Sequence, residues 1–447
     1  MKTEEQTNTI CAISTPNGVG GIAVIRVSGD DAVAAVDSLF NGRQPLTEAK
    51  GYSVHYGTIT DLDDVLVTVF RAPHSFTGED VVEIACHGSL YIQQELLRRL
   101  IAAGCRMAEP GEFTKRAFIN GKMDLTEAEA VADIIAAESK AAHNIALNHM
   151  RGGVSKELQT LRDRLLHFTS LIELELDFAD HEELEFADRK ELKVLAEEIK
   201  QHLSQLISTF KLGNALKNGI PVAIIGPTNA GKSTLLNAIA GEERAIVSDI
   251  HGTTRDTIED VVTINGIQFR FIDTAGLRKT DNEIENIGIQ RSEQAAGKAE
   301  IILLVLDATD SIMPDIGIDL SNKTVITIYN KCDLLTDDSM TRQMHNSTTL
   351  YLSAKYGDIE ELKRVLSDYA QQADNNSVVI TNARHYEALC RAKEAIEKVE
   401  HGLSEGLSGE FLSMDLQDCL QALGEITGEI TSESVLQNIF THYCIGK

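Results

Sequence analysis

One nine-residue stretch constrains the fold of this chain more than any other: Gly226-Pro-Thr-Asn-Ala-Gly-Lys-Ser-Thr234. The apolar run over residues 220–225 is typical of a buried strand, and the apolar spacing over residues 235–240 is typical of a helix. Strand, GxxxxGK(S/T) and helix in this order are the signature of a phosphate-binding loop, whose backbone N–H groups surround the phosphates of a nucleotide. We therefore expect Lys232 to contact the β- and γ-phosphates and the Ser233 hydroxyl to bind Mg²⁺.

Three further motifs follow the phosphate loop in the order found in guanine-nucleotide domains. Asp273-Thr-Ala-Gly276 matches DxxG, which brings a carboxylate near the metal and a glycine N–H near the γ-phosphate. Asn330-Lys-Cys-Asp333 matches NKxD, whose carboxylate accepts hydrogen bonds from guanine N1–H and N2–H₂ and so selects guanine over adenine. Ser353-Ala-Lys355 matches the loop that contacts the guanine oxygen. Four motifs in this order predict a GTPase rather than an ATPase.

A fifth segment, Val247 to Asp256, lies between the first two motifs and contains Gly-Thr-Thr-Arg-Asp. It resembles switch I of translation-factor-related GTPases, so we expect Thr254, or alternatively Thr253, to provide the second hydroxyl on Mg²⁺. The predicted GTP-binding residues are Asn229, Ala230, Gly231, Lys232, Ser233, Thr234, Ser248, Asp249, Ile250, His251, Gly252, Thr253, Thr254, Asp273, Thr274, Ala275, Gly276, Asn330, Lys331, Asp333, Ser353, Ala354 and Lys355.

Leu277 follows the DxxG motif, at the position where small signalling GTPases carry a glutamine that orients the attacking water. Because leucine cannot orient water, hydrolysis needs another group. The amide oxygen of Asn229, together with switch I carbonyls, could hold a monovalent cation that neutralises charge in the transition state. A purely structural hydrogen bond is the alternative role for Asn229.

Composition restricts the partners of the chain. Its formal net charge of −27 argues against broad non-specific nucleic-acid binding, which relies on a basic surface. Lys115, Arg116 and Lys122 are the candidates for a local basic patch. There is no long apolar run or apolar leader core, and the seven scattered cysteines suggest neither a disulfide framework nor a zinc site. We therefore expect a cytoplasmic chain that does not enter the membrane.

Hydrophobic periodicity divides the 447 residues into segments of different character. Residues 1–120 mix strands and helices, whereas residues 121–218 and 371–447 have the spacing of long amphipathic helices. Residues 219–370 alternate strands and helices, as in a doubly wound parallel sheet. We predict a multidomain α/β plus all-α fold: an N-terminal α/β domain, a discontinuous helical domain and an inserted Ras-like doubly wound G domain.

Individual elements can also be predicted. In the N-terminal segment we expect helices over residues 31–40 and 91–103, and in the G domain we expect Asn265-Gly266 to form a hairpin turn. The expected strands are at residues 9–13, 21–27, 65–70, 80–85, 221–225, 258–264, 267–272, 300–306, 323–329 and 348–352.

The whole chain resembles the MnmE (TrmE) family of tRNA-modification GTPases, and the likeness does not rest on the GTPase motifs alone. The chain ends in Cys444-Ile-Gly-Lys447, the C-x-G-K of the family. The other family segments are Thr15–Gly21 (TPNGVGG), Val24–Gly29 (VIRVSG), Phe76–Asp80 (FTGED), Glu83–Gly88 (EIACHG) and Pro110–Phe118 (PGEFTKRAF). Where the family has a second glycine after the last histidine-glycine pair, this chain has Ser89.

The resemblance implies an organisation and an activity. It implies a tetrahydrofolate-binding and dimerisation domain over residues 1–120, helical parts over 121–218 and 371–447, and a G domain over 219–370. It implies a homodimer that, with the flavoprotein MnmG (GidA) in a heterotetramer or larger complex, places an aminomethyl or carboxymethylaminomethyl group on C5 of wobble uridine in tRNA. A tetrahydrofolate derivative, in the 5-formyl or methylene form, would be the one-carbon donor, and GTP hydrolysis would depend on K⁺.

The resemblance also assigns roles to residues. For K⁺ it implies Asn229 with Ser248, Ile250 and Thr253, and for positioning the attacking water it implies Glu285. The folate contacts it implies are Arg26, Glu83, Lys122 and Lys447, and Cys444 is the functional cysteine of the family.

Two other functions compete with this one. An RNA-chaperone or ribosome-assembly GTPase switch shares the phosphate loop and switch I, but such proteins usually carry a basic RNA-binding module. A self-sufficient folate enzyme with a regulatory G domain is the second, although no flavin fingerprint is visible in the sequence.

Overall fold

The computed structural model describes residues 9–177, 188–243, 260–272, 293–310, 323–335, 349–371, 378–441, 443 and 446. The chain separates into two compact units, one of residues 1–135, 149–197 and 394–447 and one of residues 136–148 and 198–393. Both units contain a sheet together with helices, so the predicted fold class of multidomain α/β plus all-α is confirmed. No helix in the described part of the chain has the length and apolar character needed to cross a membrane.

The first unit is built on a seven-stranded sheet. Ile25 and Val27 of its second strand pair with Ile84 and Val82 of its sixth, and these four side chains enter one hydrophobic core. The strands are β1 (Ile10–Ile13), β2 (Gly20–Ser28), β3 (Phe40–Gly42), β4 (Ser53–Ile59), β5 (Asp63–Phe70), β6 (Val81–Gly88) and β7 (Arg106–Met107), in the spatial order β3-β4-β5-β6-β2-β1-β7.

The sequence prediction missed strands β3, β4 and β7 of this sheet and extended one helix too far. The helix expected over residues 31–40 ends at Asp37, because Phe40 instead pairs with Ile59 across β3 and β4 and fills the core. Strand β4 was not predicted. Its apolar residues Val54 and Tyr56 are exposed, so its pattern of burial is the reverse of the usual alternation.

Helices complete the first unit. Gly111 precedes the helix Glu112–Ile119 as its N-cap, and its φ of +67° and close contact with Phe440 favour glycine. The long helices of residues 153–177 and 409–427 run antiparallel, because Gly409 lies against Ile172 and Gly424 against Arg162. The helices with residues in this unit are α1 (Ala32–Asp37), α2 (Leu90–Ala102), α3 (Glu112–Ile119), α4 (Leu125–Ala136), α6 (Gly153–Asp177), α7 (Arg189–Asn218), α10 (Ala383–Glu405), α11 (Gly409–Thr427) and α12 (Glu433–Phe440).

The second unit contains the doubly wound sheet. All neighbouring strands are parallel except one antiparallel pair at the edge, β9 and β10. The strands are β8 (Ile220–Ile225), β9 (Asp260–Ile264), β10 (Ile267–Phe271), β11 (Ile301–Asp307), β12 (Thr324–Asn330) and β13 (Thr349–Tyr351), in the order β13-β12-β11-β8-β10-β9, with helices α5 (Lys140–Met150), α8 (Lys232–Glu243) and α9 (Glu360–Gln371). The six strands predicted here are confirmed within one or two residues at each end.

The hairpin of β9 and β10 turns at Asn265 and Gly266, as predicted. Their φ values of +51° and +81° are those that a two-residue hairpin turn requires. The turn is held by residues at and before the start of α5. The carbonyl of Gly266 accepts a hydrogen bond from the N–H of Ala141 at 3.1 Å, and the Gln268 amide donates to Glu138 at 3.0 Å.

Candidate functional site

The predicted phosphate loop connects β8 to α8 and is packed tightly against two strands. At Gly226 (φ +145°), a Cβ atom would overlap the carbonyl oxygen of Val305, and at Gly231 (φ +93°) it would overlap the side-chain amide of Asn330. Only glycine fits both positions without displacing neighbouring atoms. Asn229, between them, is exposed and also left-handed, with a φ of +64°. The loop is therefore held in an unusual backbone conformation by its surroundings.

Lys232, the first residue of α8, lies across this loop. Its ammonium donates hydrogen bonds to the carbonyls of Gly226 at 2.8 Å and Pro227 at 2.7 Å. Burial lowers the pKa of Lys232, since carbonyl dipoles do not fully replace the hydration of the charge. An anion bound in the loop would compensate that charge. Ser233 is half-buried and Thr234 is exposed, both in the first turn of α8, where the helix N-terminus favours negative charge.

Asn330 joins three of the predicted motifs at one point. It is 3% exposed; its Nδ2 donates to the carbonyl of Ala230 at 2.9 Å, and its Oδ1 accepts from the N–H of Ala354 at 3.0 Å. Nearby, the Ser353 hydroxyl donates to Oδ1 of Asp333 at 2.5 Å. Asp333 itself is exposed, so its carboxylate is oriented by Ser353 and still open to a ligand. The phosphate loop, NKxD and SAK motifs are thus brought together, as their order predicted.

Lys331 has a partner that sequence reasoning did not single out. Its ammonium lies 2.6 Å from Oδ2 of Asp307, the last residue of β11. Burial raises the pKa of the Asp307 carboxyl, but the hydrogen bonds from Lys331 and Thr309 lower it by more. The net effect is a lowered pKa. An aspartate at the end of a predicted strand, one strand before NKxD, was the available signal. Lys355, the last residue of SAK, lies over the ring of Tyr356 with its ammonium 5.3 Å from the ring centroid.

The remaining predicted site residues lie outside the described residues, so their predictions stay predictions. They comprise the switch I set, the DxxG motif and the positions expected to orient water or bind folate near the C-terminus. They are Ser248, Asp249, Ile250, His251, Gly252, Thr253, Thr254, Asp273, Thr274, Ala275, Gly276, Glu285, Cys444 and Lys447.

A second polar site lies on the sheet of the first unit, where Arg26 of β2 is directly opposite Glu83 of β6. Nε and Nη2 of Arg26 both donate to Oε1 of Glu83, at 2.9 and 2.8 Å. The guanidinium carbon lies 5.4 Å from the ring centroid of Phe76 and 5.6 Å from that of Phe113. The side chains of Arg26 and Glu83 are 21% and 29% exposed, so the pair is open to solvent on one side.

The loop of residues 73–79 connects this pair to Lys122. Phe76 of the loop lies beside Arg26, while Gly78 contacts the methylenes of Lys122, whose ammonium donates to the carbonyl of Pro73 at 3.0 Å. Three of the four predicted folate contacts are therefore neighbours through one loop.

Gly446, the described residue of the C-terminal CIGK motif, is also near this sheet. The carbonyl of Gly446 accepts a hydrogen bond from Ser14 at 3.2 Å, and a Cβ on Gly446 would overlap the carbonyl of Ile13. The N–H of Ser14 in turn donates at 2.8 Å to the carbonyl of Val24, two residues before Arg26. The glycine of the motif is thus required by a close approach of two chain segments.

The three candidate residues for a basic patch do not form one exposed cluster. Arg116 is 5% exposed, with its guanidinium 3.0 Å from carboxylate oxygens of both Glu79 and Glu112. Lys115 is paired with Glu433 at 2.8 Å. Arg116 therefore drops out of the candidate patch, because α3 buries its side chain between two carboxylates. This surface therefore does not supply the basic RNA-binding module that the chaperone alternative needs.

The doubly wound sheet and the joined phosphate-loop, NKxD and SAK motifs define a guanine-nucleotide-binding protein of the P-loop GTPase class. Family comparisons agree and go further. The profile "GTP-binding protein TrmE N-terminus" matches residues 9–122, and "MnmE helical domain" matches residues 125–444. The chain belongs to the MnmE family of tRNA modification GTPases, which confirms the resemblance found in the sequence.

Similar proteins from other organisms support this membership. The tRNA modification GTPase MnmE of Parabacteroides distasonis is 54% identical over 98% of this chain and 100% of its own length. That of Bacteroides thetaiotaomicron is 49% identical over 98% and 99%. Among solved structures, the G domain of the T. maritima FeoB iron transporter is 26% identical and covers 34% of this chain and 99% of its own, but its TM-score of 0.25 is too low to establish a shared fold.

Proposed function

We propose that this protein hydrolyses GTP and, with the flavoprotein MnmG (GidA), modifies C5 of wobble uridine in tRNA. The observation that carries the GTPase part is the position of Asn330, which joins the phosphate loop to the loops expected to recognise guanine. The modification would add an aminomethyl or carboxymethylaminomethyl group, using a 5-formyl or methylene tetrahydrofolate as one-carbon donor. Family membership supports this assignment.

Within the nucleotide site, each described residue has a distinct task. Lys232 exchanges its carbonyl partners for phosphate oxygens, and the hydroxyl of Ser233 binds Mg²⁺ beside them. Asp333, oriented by Ser353, accepts the two hydrogen bonds that distinguish guanine from adenine. The glycines at 226 and 231 let the loop pack closely against Val305 and Asn330, because a Cβ at either position would overlap one of them.

The potassium prediction is supported by the position of Asn229. Its backbone is left-handed and the residue is exposed, between two glycines that are packed against Val305 and Asn330. We propose that its amide oxygen holds K⁺ with Ser248, Ile250 and Thr253, and that Glu285 positions the attacking water. The bound ion supplies positive charge beside the phosphates, in place of the arginine that other GTPases use.

The folate prediction is supported by the unused capacity of the Arg26–Glu83 pair. Among the described residues, Nη1 of Arg26 and Oε2 of Glu83 have no hydrogen-bond partner, because the pair uses only the other atoms. Oε2 is thus able to accept from a pterin ring and Nη1 to donate to a carboxylate. We propose that Arg26, Glu83, Lys122 and Lys447 bind the folate, with Cys444 close to it.

An exposed apolar face beside this pair supports a homodimer through the N-terminal domain. Val54, Tyr56 and Leu66 are 62%, 65% and 48% exposed on β4 and β5. Tyr56 pairs with Leu66 and Leu66 with Ala85 of β6, so Tyr56 and Leu66 lie in one row, and Val54 lies on the same face in the next row, opposite Thr68. Exposed apolar rows of this kind mark protein interfaces. We also propose the domain boundaries 1–120, 121–218, 219–370 and 371–447, and a cytoplasmic location, where tRNA is modified.

Mass spectrometry of tRNA nucleosides from a strain that lacks this gene tests the proposal. We expect loss of the modified wobble uridines, and their return when the wild-type gene is supplied. Unchanged nucleosides in the deletion strain would contradict the modification function. GTP hydrolysis by the purified protein, measured separately in K⁺ and Na⁺, tests the ion: equal rates in both would remove K⁺ from the proposal.

A further inference from the structure

Lys331 is held in an uncommon backbone conformation. Its backbone is left-handed, with φ +66° and ψ +33°, which is unfavourable for a side chain that has a Cβ. The residue before it is fully engaged, since Asn330 bonds to both the phosphate loop and SAK. Non-glycine residues in strained conformations between fixed neighbours are concentrated at functional sites. The contacts that orient the Lys331 side chain therefore bear on the function of the site.

Asp307 determines that direction. It ends β11 directly opposite Asn330, and the N–H of Ala308 donates to the carbonyl of Asn330 at 2.8 Å, so the sheet itself fixes the distance between Asp307 and Lys331. Oδ2 of Asp307 lies 2.6 Å from the ammonium. Its other oxygen accepts from the backbone N–H of Thr309 at 2.9 Å and from the Thr309 hydroxyl at 2.7 Å.

The carboxylate is thus oriented before Lys331 reaches it. Both bonds from Thr309 go to Oδ1, which leaves Oδ2 directed at the lysine. The Asp307 side chain is 14% exposed and that of Lys331 is 31% exposed, so solvent screens this pair less than a surface ion pair. A free lysine side chain samples many rotamers, and ordering it on ligand binding costs free energy. In this protein the contact with Asp307 already orders the Lys331 side chain.

We infer that Asp307 is a positioning residue for the guanine nucleotide: it holds the ammonium of Lys331 so that the lysine methylenes lie ready to cover the purine beside Asp333. This inference goes beyond the motif residues and rests on the proposed nucleotide site. Because Asp307 acts on the stem of Lys331 rather than on a base edge, its loss weakens GDP and inosine diphosphate equally.

The test is the affinity of the full-length protein for GDP, measured by calorimetry with Mg²⁺ and K⁺. Asp307→Asn keeps the shape and the acceptor for Thr309 but removes the charge, and we expect the dissociation constant to rise about tenfold, the lower end of what a charged hydrogen bond contributes. The same factor is expected for inosine diphosphate. In a Lys331→Met background, where there is no ammonium to hold, Asp307→Asn should change the constant less than about twofold.

Glu300→Gln is the matched control. Glu300 precedes β11 at the opposite end of the strand from Asp307, its side chain is 15% exposed, and it is 2.8 Å from Lys211. Its removal also breaks a lysine–carboxylate pair but should leave GDP affinity unchanged. Equal losses in Asp307→Asn and Glu300→Gln, or an undiminished loss in the Lys331→Met background, would overturn the inference. If the wild-type protein bound no GDP, the proposed nucleotide site itself would fail.

Discussion

The nucleotide site and the N-terminal polar site are assembled in opposite ways. The first uses short motifs in chain order, and its decisive contacts involve backbone atoms: glycines against strands, and Asn330 against Ala230 and Ala354. The second brings together residues that are far apart in the chain, from Ser14 to Gly446, through cross-strand pairs and ion pairs between side chains. A backbone site depends on local shape, whereas a side-chain site depends on the stability of its whole unit.

The buried charges around Arg116 give the largest test of this contrast. Arg116→Met leaves the carboxylates of Glu79 and Glu112 buried with fewer partners, so we expect the free energy of unfolding of the first unit to fall by about 3–5 kcal/mol. Chemical denaturation would measure this. Its neighbour Lys115, paired with an exposed Glu433, is the control: Lys115→Met should cost less than about 1 kcal/mol. If GDP affinity fell along with stability in Arg116→Met, the contrast would be broken.

Backbone shape should dominate at the phosphate loop. Gly226→Ala introduces a Cβ that overlaps the carbonyl of Val305, and we expect GDP affinity to fall by about 100-fold or more, as for other strained and overpacked sites. Gly357→Ala is the matched control, because Gly357 is also left-handed (φ +74°) but has open space around its Cβ position. Comparable losses of affinity in both variants would show that strain, and not the close approach, is responsible.

Orientation of a single carboxylate should have a smaller effect. Ser353→Ala removes the hydroxyl that donates to Asp333, and we expect GDP affinity to fall about tenfold, since hydrogen bonds to charged groups are worth about 1.5–3 kcal/mol. Inosine diphosphate lacks the 2-amino group and should lose less. Calorimetry with both nucleotides gives the ratio. An equal loss for the two would mean that Ser353 supports the loop rather than the guanine-binding carboxylate.

The smallest expected effect is the loss of stability of the first unit at low pH. Burial raises the pKa of Glu112, but hydrogen bonds from Arg106 and the Glu109 backbone, with the charge of Arg116, lower it below its ordinary value of 4.5. A lowered folded-state pKa contributes stability that is present above the unfolded pKa of about 4.5 and is lost as pH falls through the folded pKa. Thermal unfolding of the first unit between pH 7 and 3 would show this loss, and Glu112→Gln should flatten it. An unchanged slope in the variant would assign the acid sensitivity to other groups.

The sequence predicted the nucleotide site more fully than the N-terminal polar site, because the first is built from contiguous motifs. Phosphate loop, NKxD and SAK were recognised because each is contiguous, and their meeting at strand ends follows from a parallel sheet. The ion pair between Arg26 and Glu83 could not be read from the chain, because strand register is decided by packing across the sheet. Both residues were assigned to folate by family resemblance, without the knowledge that they face each other.

Burial was the other quantity that the sequence did not reveal. Arg116 looked like part of a basic surface because its neighbour Lys115 is basic, and only the packing of α3 shows that it is enclosed by two carboxylates. Strand β4 was missed for the converse reason, since it exposes Val54 and Tyr56. Asp307 was overlooked because its partner Lys331 lies one strand further along the chain.

The hairpin of β9 and β10 lies between two of the predicted nucleotide motifs in the chain. The predicted switch I segment precedes Asp260 in the chain, and the DxxG motif follows Ile272. Sliding one strand past the other by a residue would turn Val262 and Phe269 out of the core, so the two strands cannot slip. The turn also bonds to Ala141 in the first turn of α5, so the hairpin and that helix turn form one hydrogen-bonded unit.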